Sequence, residues 1–189
     1  KEWNFFTSWL TGTGRFDPDL LVEDRQTLLA YIRDQGYLDV DIPESGIRVT
    51  YPKENVVDIT FEADLGKRYS VGSVEVTGNT LFGEEEILGQ TELEPGDVFS
   101  PSKVAESREE IRLFYGADGY LETRVRAQRS PNLETGAIDL TYRINESRRF
   151  DVESINLQGN TKTKSIVIIR ELALAPGETF DLKRMRNSQ

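Results

Sequence analysis

Histidine and cysteine are both absent from the 189 residues. Their loss removes the commonest general base, the thiol nucleophile and the usual zinc ligands. Without cysteine there can be no disulfide frame, although that alone does not fix the compartment. No Gly-x-Ser-x-Gly elbow and no phosphate-cradling glycine loop occurs. No apolar run reaches the roughly 18 residues of a membrane-spanning helix. No signal peptide heads the chain, so an internal piece of something longer is expected. Basic residues are outnumbered, 23 against 33 acidic, for a net charge of −10. Nucleic acid is therefore not expected as a general partner, because phosphate contact needs a basic surface. Carboxylate pairs such as Asp17/Asp19 and Asp39/Asp41 read as solvated faces or helix caps. The expectation is a chain without catalytic residues, metal or cofactor.

What is present is a repeat, and repeats decide architecture before any shorter motif does. Gly78-Asn79 recurs as Gly159-Asn160, Pro95-Gly96 as Pro176-Gly177 and Phe99 as Phe180, each 81 residues on. Asp58-Ile59-Thr60 recurs as Asp139-Leu140-Thr141 and Tyr69 as Phe150, again by 81. Gly36-Tyr37-Leu38 recurs as Gly119-Tyr120-Leu121 after 83. The spacing predicts one whole unit over 69–149, the second half of another over 1–68 and the first half of a third over 150–189. Eighty residues is close to the lower limit for an independent core, so adjoining units are expected to support each other.

Within the whole unit, Val74-Glu75-Val76-Thr77 alternates as a half-buried strand and Gly78-Asn79 ends it. A short helix is expected from Gly83 to Thr91. Glu84, Glu85 and Glu86 lie in its first turn, where the helix dipole favours negative charge. Ser100-Pro101 opens a longer helix as N-cap and first helical residue. Val104, Ile111, Phe114 and Tyr115 supply its apolar stripe, and Gly119 ends it. A strand is expected from Tyr120 to about Arg129, a turn from Pro131 to Gly136, and a strictly alternating strand through Ile138, Leu140, Tyr142 and Ile144. The order is strand, helix, helix, strand, strand.

The first partial unit repeats the second half of that order. Leu21, Leu28, Tyr31 and Ile32 take the places of Val104, Ile111, Phe114 and Tyr115. After Gly36, Leu38, Val40 and Ile42 have the opposite parity to Ile47, Val49 and Tyr51. One pleated strand cannot bury both sets on one face, so a break is expected at Pro43–Gly46. Val57, Ile59 and Phe61 form the closing strand. In the third unit, Ile155-Asn156-Leu157 is the expected strand and Ser165–Leu172 the first helix. Asp181 opens the second helix, with Met185 in the place of Val104. Trp3, Phe5, Phe6 and Trp9 form a dense aromatic loop before Phe16. The loop either caps its own unit's core or forms an exposed docking patch. The charge is uneven as well: residues 140–189 hold 9 basic and 6 acidic residues, the preceding ones 14 and 27.

Gly-Asn after the first strand, Pro-Gly between the helices and Gly-Tyr after the second helix, in that order, resemble the POTRA domain. Val74–Asn79 and Ile155–Asn160 are similar to its opening strand, and Trp3 and Trp9 before Phe16-Asp17-Pro18 to a long loop in the POTRA arrays of BamA-type outer-membrane protein assembly factors. The resemblance implies an α+β fold of tandem β-α-α-β-β units. Each unit would be a three-stranded mixed sheet under two antiparallel helices, with the strand after the second helix at an edge. It also implies the periplasmic portion of an outer-membrane protein, attached to a C-terminal membrane β-barrel outside these residues. Its partners would be unfolded outer-membrane β-barrel proteins and assembly lipoproteins or chaperones. Translocation-and-assembly and two-partner secretion transporters carry related arrays, and a rigid spacer that binds no client is the remaining alternative.

A scaffold for many unrelated clients must use what they share, and every client has a backbone. Strand addition to an open sheet edge is the general solution. The expected client edges are Val40, Asp41, Ile42, Ile47, Arg48 and Val49 in the first unit, and Val125, Arg126, Ala127 and Gln128 in the second. Charges and Pro43 would protect these edges from self-association. Tyr69 and Phe150, at equivalent hand-over positions, are expected to pack either between units or in one unit's own core.

Overall fold

A computed structural model of the chain describes residues 18–54, 56–159 and 175–187. Helix α1 (Pro18–Asp34) leads through a 3-10 turn (Glu44–Gly46) into the antiparallel strands β1 (Ile47–Lys53) and β2 (Val56–Phe61). Next come β3 (Ser70–Thr77), α2 (Glu84–Leu88), α3 (Pro101–Ala117), β4 (Arg124–Asn132) and β5 (Ala137–Asn145). The last helix is α4 (Leu182–Asn187). The middle sheet runs β3-β5-β4, with β3 parallel and β4 antiparallel to β5. This is the expected mixed three-stranded sheet in an α+β fold.

The sheet's inner face alternates as period two requires. Ile138, Leu140, Tyr142 and Ile144 are buried, and Asp139, Arg143 and Asn145 are exposed. Helix α3 lies over that face. Ser100 Oγ accepts the Lys103 N–H at 3.3 Å and Pro101 fills the first helical position, so the start is capped as its sequence demands. The buried stripe of α3 is Val104, Ser107, Ile111 and Tyr115. Phe114, expected to share the inward face, is only half-buried and meets Phe82 edge-on at 4.7 Å between ring centroids. The same one-residue difference recurs in α1, where Tyr31 is exposed and Leu28, Leu29 and Ile32 join the core.

Other boundaries differ from expectation. Helix α2 stops at Leu88 instead of Thr91, because Gln90 and Thr91 close onto the carbonyls of Ile87 and Leu88 in tight turns. Strand β4 begins at Arg124, four residues after Tyr120, and runs past Arg129 through Pro131 to Asn132. A terminal strand tolerates that proline because its outer side needs no ladder hydrogen bond. Ile155-Asn156-Leu157 is not in a strand, since no partner strand for it lies among the described residues. The expected helix Ser165–Leu172 and the aromatic loop fall outside the described residues.

One backbone hydrogen-bond pattern occurs twice, around Tyr69 and around Phe150. The Tyr69 N–H donates to the Gly36 carbonyl at 2.8 Å, and the Phe150 N–H to Gly119 at 2.9 Å. Phe99 N–H donates to the Tyr69 carbonyl and Phe180 N–H to Phe150, both at 3.1 Å. Val71 and Gly96 exchange with Asp97 and Val71 as Val152 and Gly177 do with Glu178 and Val152. Gly36 and Gly119 have φ of 92° and 88°. A Cβ on Gly36 would lie 2.8 Å from the Tyr69 oxygen, and one on Gly119 2.6 Å from Thr179 Cγ2. Only glycine suits both the left-handed conformation and the close approach.

Candidate functional site

Strand β4 ends the sheet, so one of its sides carries backbone groups that the sheet does not use. Which residues turn outward follows from the hairpin. The Asn132 carbonyl accepts the Gly136 N–H at 2.9 Å, so Asn132 faces inward, toward β5. Successive residues of a strand alternate. Pro131, with no N–H to give, therefore faces out, and so do Arg129, Ala127 and Val125. These three N–H groups form an open row along the edge. Near the hairpin the row ends at a cavity of about 190 Å³ lined by Leu38, Tyr69, Arg129, Pro131 and Leu133.

The two faces beside this row differ. Val125 and Ala127 turn their side chains to the core, and the Arg129 guanidinium lies 5.6 Å from the Phe99 ring centroid. On the opposite face stand Arg124, Arg126 and Gln128, all exposed. Arg126 is the direct cross-strand partner of Arg143, and Arg124 faces Asn145. Among the described residues, none of Arg124, Arg126 and Arg143 makes an ion pair.

The first unit's expected edge is divided. Val40 and Ile42 are buried core residues, 4% and 0% exposed, and not part of an open strand. Asp41 already exchanges both backbone hydrogen bonds with Asp64 at 2.9 Å. The Ile42 carbonyl accepts Arg25 Nε at 2.6 Å, which ties this stretch to α1. The break at Pro43–Gly46 is present as the 3-10 turn, and only Ile47, Arg48 and Val49 lie in a strand, opposite Phe61, Thr60 and Ile59. Arg48 is ion-paired with Glu62.

Tyr69 belongs to the middle unit's core and also reaches across the junction. Its hydroxyl donates to Asp39 Oδ2 at 2.8 Å, and this bond raises its pKa. Phe150 is half-buried, with the Arg148 guanidinium 5.2 Å from its ring centroid. Sequence reasoning missed Asp34, whose Oδ1 accepts Ser100 Oγ and the Ser102 N–H, both at 2.9 Å. A carboxylate from the end of α1 thus caps the start of α3. Asp at a helix end before Gly gave no signal of a partner 68 residues away. Partial burial pushes the Asp34 pKa up, but the hydrogen bonds from Ser102 and Ser100 outweigh it and the net value is lowered.

The mixed three-stranded sheet under its helices agrees with the comparisons. The POTRA family model, described as a surface antigen variable number repeat, matches residues 69–147. The matched stretch coincides with the β3-α2-α3-β4-β5 unit. Along its length the chain is similar to the POTRA regions of BamA-type proteins. It is 27% identical over 185 residues to the outer membrane protein assembly factor BamA of Nitratidesulfovibrio vulgaris, covering 96% of this chain and 23% of that protein. BamA of Neisseria meningitidis is 26% identical over 184 residues, with 96% and 23% covered. The chain thus spans less than a quarter of these curated relatives. In fold it is similar to the crystal structure of Haemophilus influenzae BamA POTRA3-5, with a TM-score of 0.67 at 21% identity over 95% of this chain and 70% of that one. A Haemophilus ducreyi BamA lacking POTRA domains 1-3 gives a TM-score of 0.53 at 19% identity, covering 70% of this chain and 24% of that one.

Proposed function

We propose that this POTRA region is a periplasmic scaffold of an outer-membrane assembly factor, which holds unfolded outer-membrane proteins and accessory factors ahead of barrel insertion. Its units are 1–68, 69–149 and 150–189. Clients add as a further strand along β4. The observation that carries this reading is the open edge, with Val125, Ala127 and Arg129 turning their N–H groups away from β5. Strand addition fits a general scaffold because main-chain hydrogen bonds give affinity without demanding a particular side chain. The names of the relatives, outer membrane protein assembly factors, support the setting. The short Ile47–Val49 stretch of β1 is a lesser candidate, since the residues before it are committed to the core and to Asp64.

The test is a proline at an outward position. Val125→Pro and, separately, Ala127→Pro each remove one outward N–H while sparing the bonds to β5. Each variant should keep the amide spectrum of the folded domain. Each should lose the shifts that extended peptides from unfolded barrel proteins induce along 124–130. Unchanged peptide-induced shifts in both folded variants would exclude β4 as the client edge.

A further inference from the structure

The outer face of the sheet carries a contradiction within its own chemistry. Like charges directly opposite on antiparallel strands destabilise the pair. Yet Arg126 stands opposite Arg143, and Arg124 lies two residues along on the same face. All three are exposed and unpaired among the described residues, in a chain whose net charge is −10. The carboxylates on that face lie nearer the hairpin. Asp139 is opposite Ser130 and accepts the Ser73 hydroxyl at 3.0 Å, and Glu75 is in register with Thr141. A strand laid along the free side of β4 would sit about 4.8 Å from it. Alternate side chains of that strand would fall on this outer face beside Arg124 and Arg126, and the others would face the helix side beside Val125 and Ala127.

We propose that the β4 edge selects extended segments with acidic residues at alternate positions, which Arg124, Arg126 and Arg143 receive on the outer face of the sheet while apolar residues fall on the helix side. The inference rests on the strand-addition reading and adds the partner's chemistry to it. Backbone bonds hold the segment, and the arginines choose among segments and fix their register. The same arginines disfavour pairing between two copies of this edge, because each copy would bring its own positive charges. The preference should weaken with salt, since exposed charges are screened beyond about 8–10 Å at physiological ionic strength.

Three nine-residue peptides test this, each with valine at alternate positions and glutamate, lysine or serine at the others. Amide shifts of the whole chain along β4 and β5 give the affinities. The glutamate peptide should bind roughly tenfold tighter than the lysine peptide, a difference expected of charge complementarity at a partly exposed site. Arg124→Glu with Arg126→Glu should invert the order. Equal affinity of the three peptides, with shifts still along β4, overturns the acidic preference and leaves strand addition standing. A preference that survives the charge reversal also overturns it. Binding of the glutamate peptide that persists in the folded Val125→Pro and Ala127→Pro variants overturns strand addition, and this inference falls with it.

Discussion

Glu146 follows the last strand of the sheet and fastens the loop beneath it. Its Oε1 accepts the N–H groups of Thr80 and Leu81 at 2.8 and 3.0 Å and the Tyr115 hydroxyl at 2.9 Å, while Oε2 accepts the Thr80 hydroxyl. Partial burial alone would raise its pKa. The hydrogen bonds from Thr80, Leu81 and Tyr115 outweigh burial, and the net value lies below the ordinary 4.5. Burial and the same carboxylate push the Tyr115 hydroxyl up. A carboxyl whose folded pKa is depressed stabilises the fold above its unfolded pKa and loses that contribution as pH falls through the folded value. Glu146→Gln should therefore lower the urea midpoint at pH 7, and the gap to the parent protein should close as pH falls below about 4. A gap that stays constant across that range would show that the ionised form carries no stability.

At the scale of the element, the phase of α3 sets which side chains matter. Ile111→Ala should cost about 2–5 kcal/mol, as a fully buried isoleucine does. Phe114→Ala should cost less than Ile111→Ala, because its side chain is only partly buried. Urea unfolding of the two variants checks the order, and a larger loss at Phe114 would restore the phase read from sequence. That misreading has a physical source. The stripe Val104, Ser107, Ile111, Tyr115 is interrupted by a serine, which sequence patterning scores as surface. Ser107 is nevertheless 0% exposed, because its hydroxyl accepts the Glu92 N–H at 3.0 Å from the loop after α2. A hydrogen bond to a residue 15 positions away leaves no trace in periodicity. Element order was legible because turn residues recur at one period. The terminal position of β4 came with the family resemblance. Which of its residues face outward was not legible, since that depends on the Asn132–Gly136 bond. The burial of Val40 and Ile42 was hidden for a similar reason: Arg25 draws that stretch under α1.

Across the whole molecule, the two junctions share their backbone bonds and differ in their side chains. The first has Asp34 capping α3 and the Tyr69 hydroxyl on Asp39. At the second, Ala117 stands where the repeat would place Asp34 and Phe150 has no hydroxyl, so the one side-chain hydrogen bond found there among the described residues is from Arg149 to the Thr179 hydroxyl. The first junction should therefore be the stiffer. Asp34→Ala combined with Tyr69→Phe should widen the distribution of distances between spin labels on α1 and β5 while the middle domain stays folded. An unaltered width would show that the side chains add nothing to the joint. The shared part carries a different consequence. Main-chain atoms and a glycine make the joint, and these are the same whatever the neighbouring side chains become. Divergence can then rewrite the exposed surface of one repeat, its charge, its edge or its loop, without any matching change in the next. Sequence repeats joined this way can specialise separately while keeping one backbone rule constant.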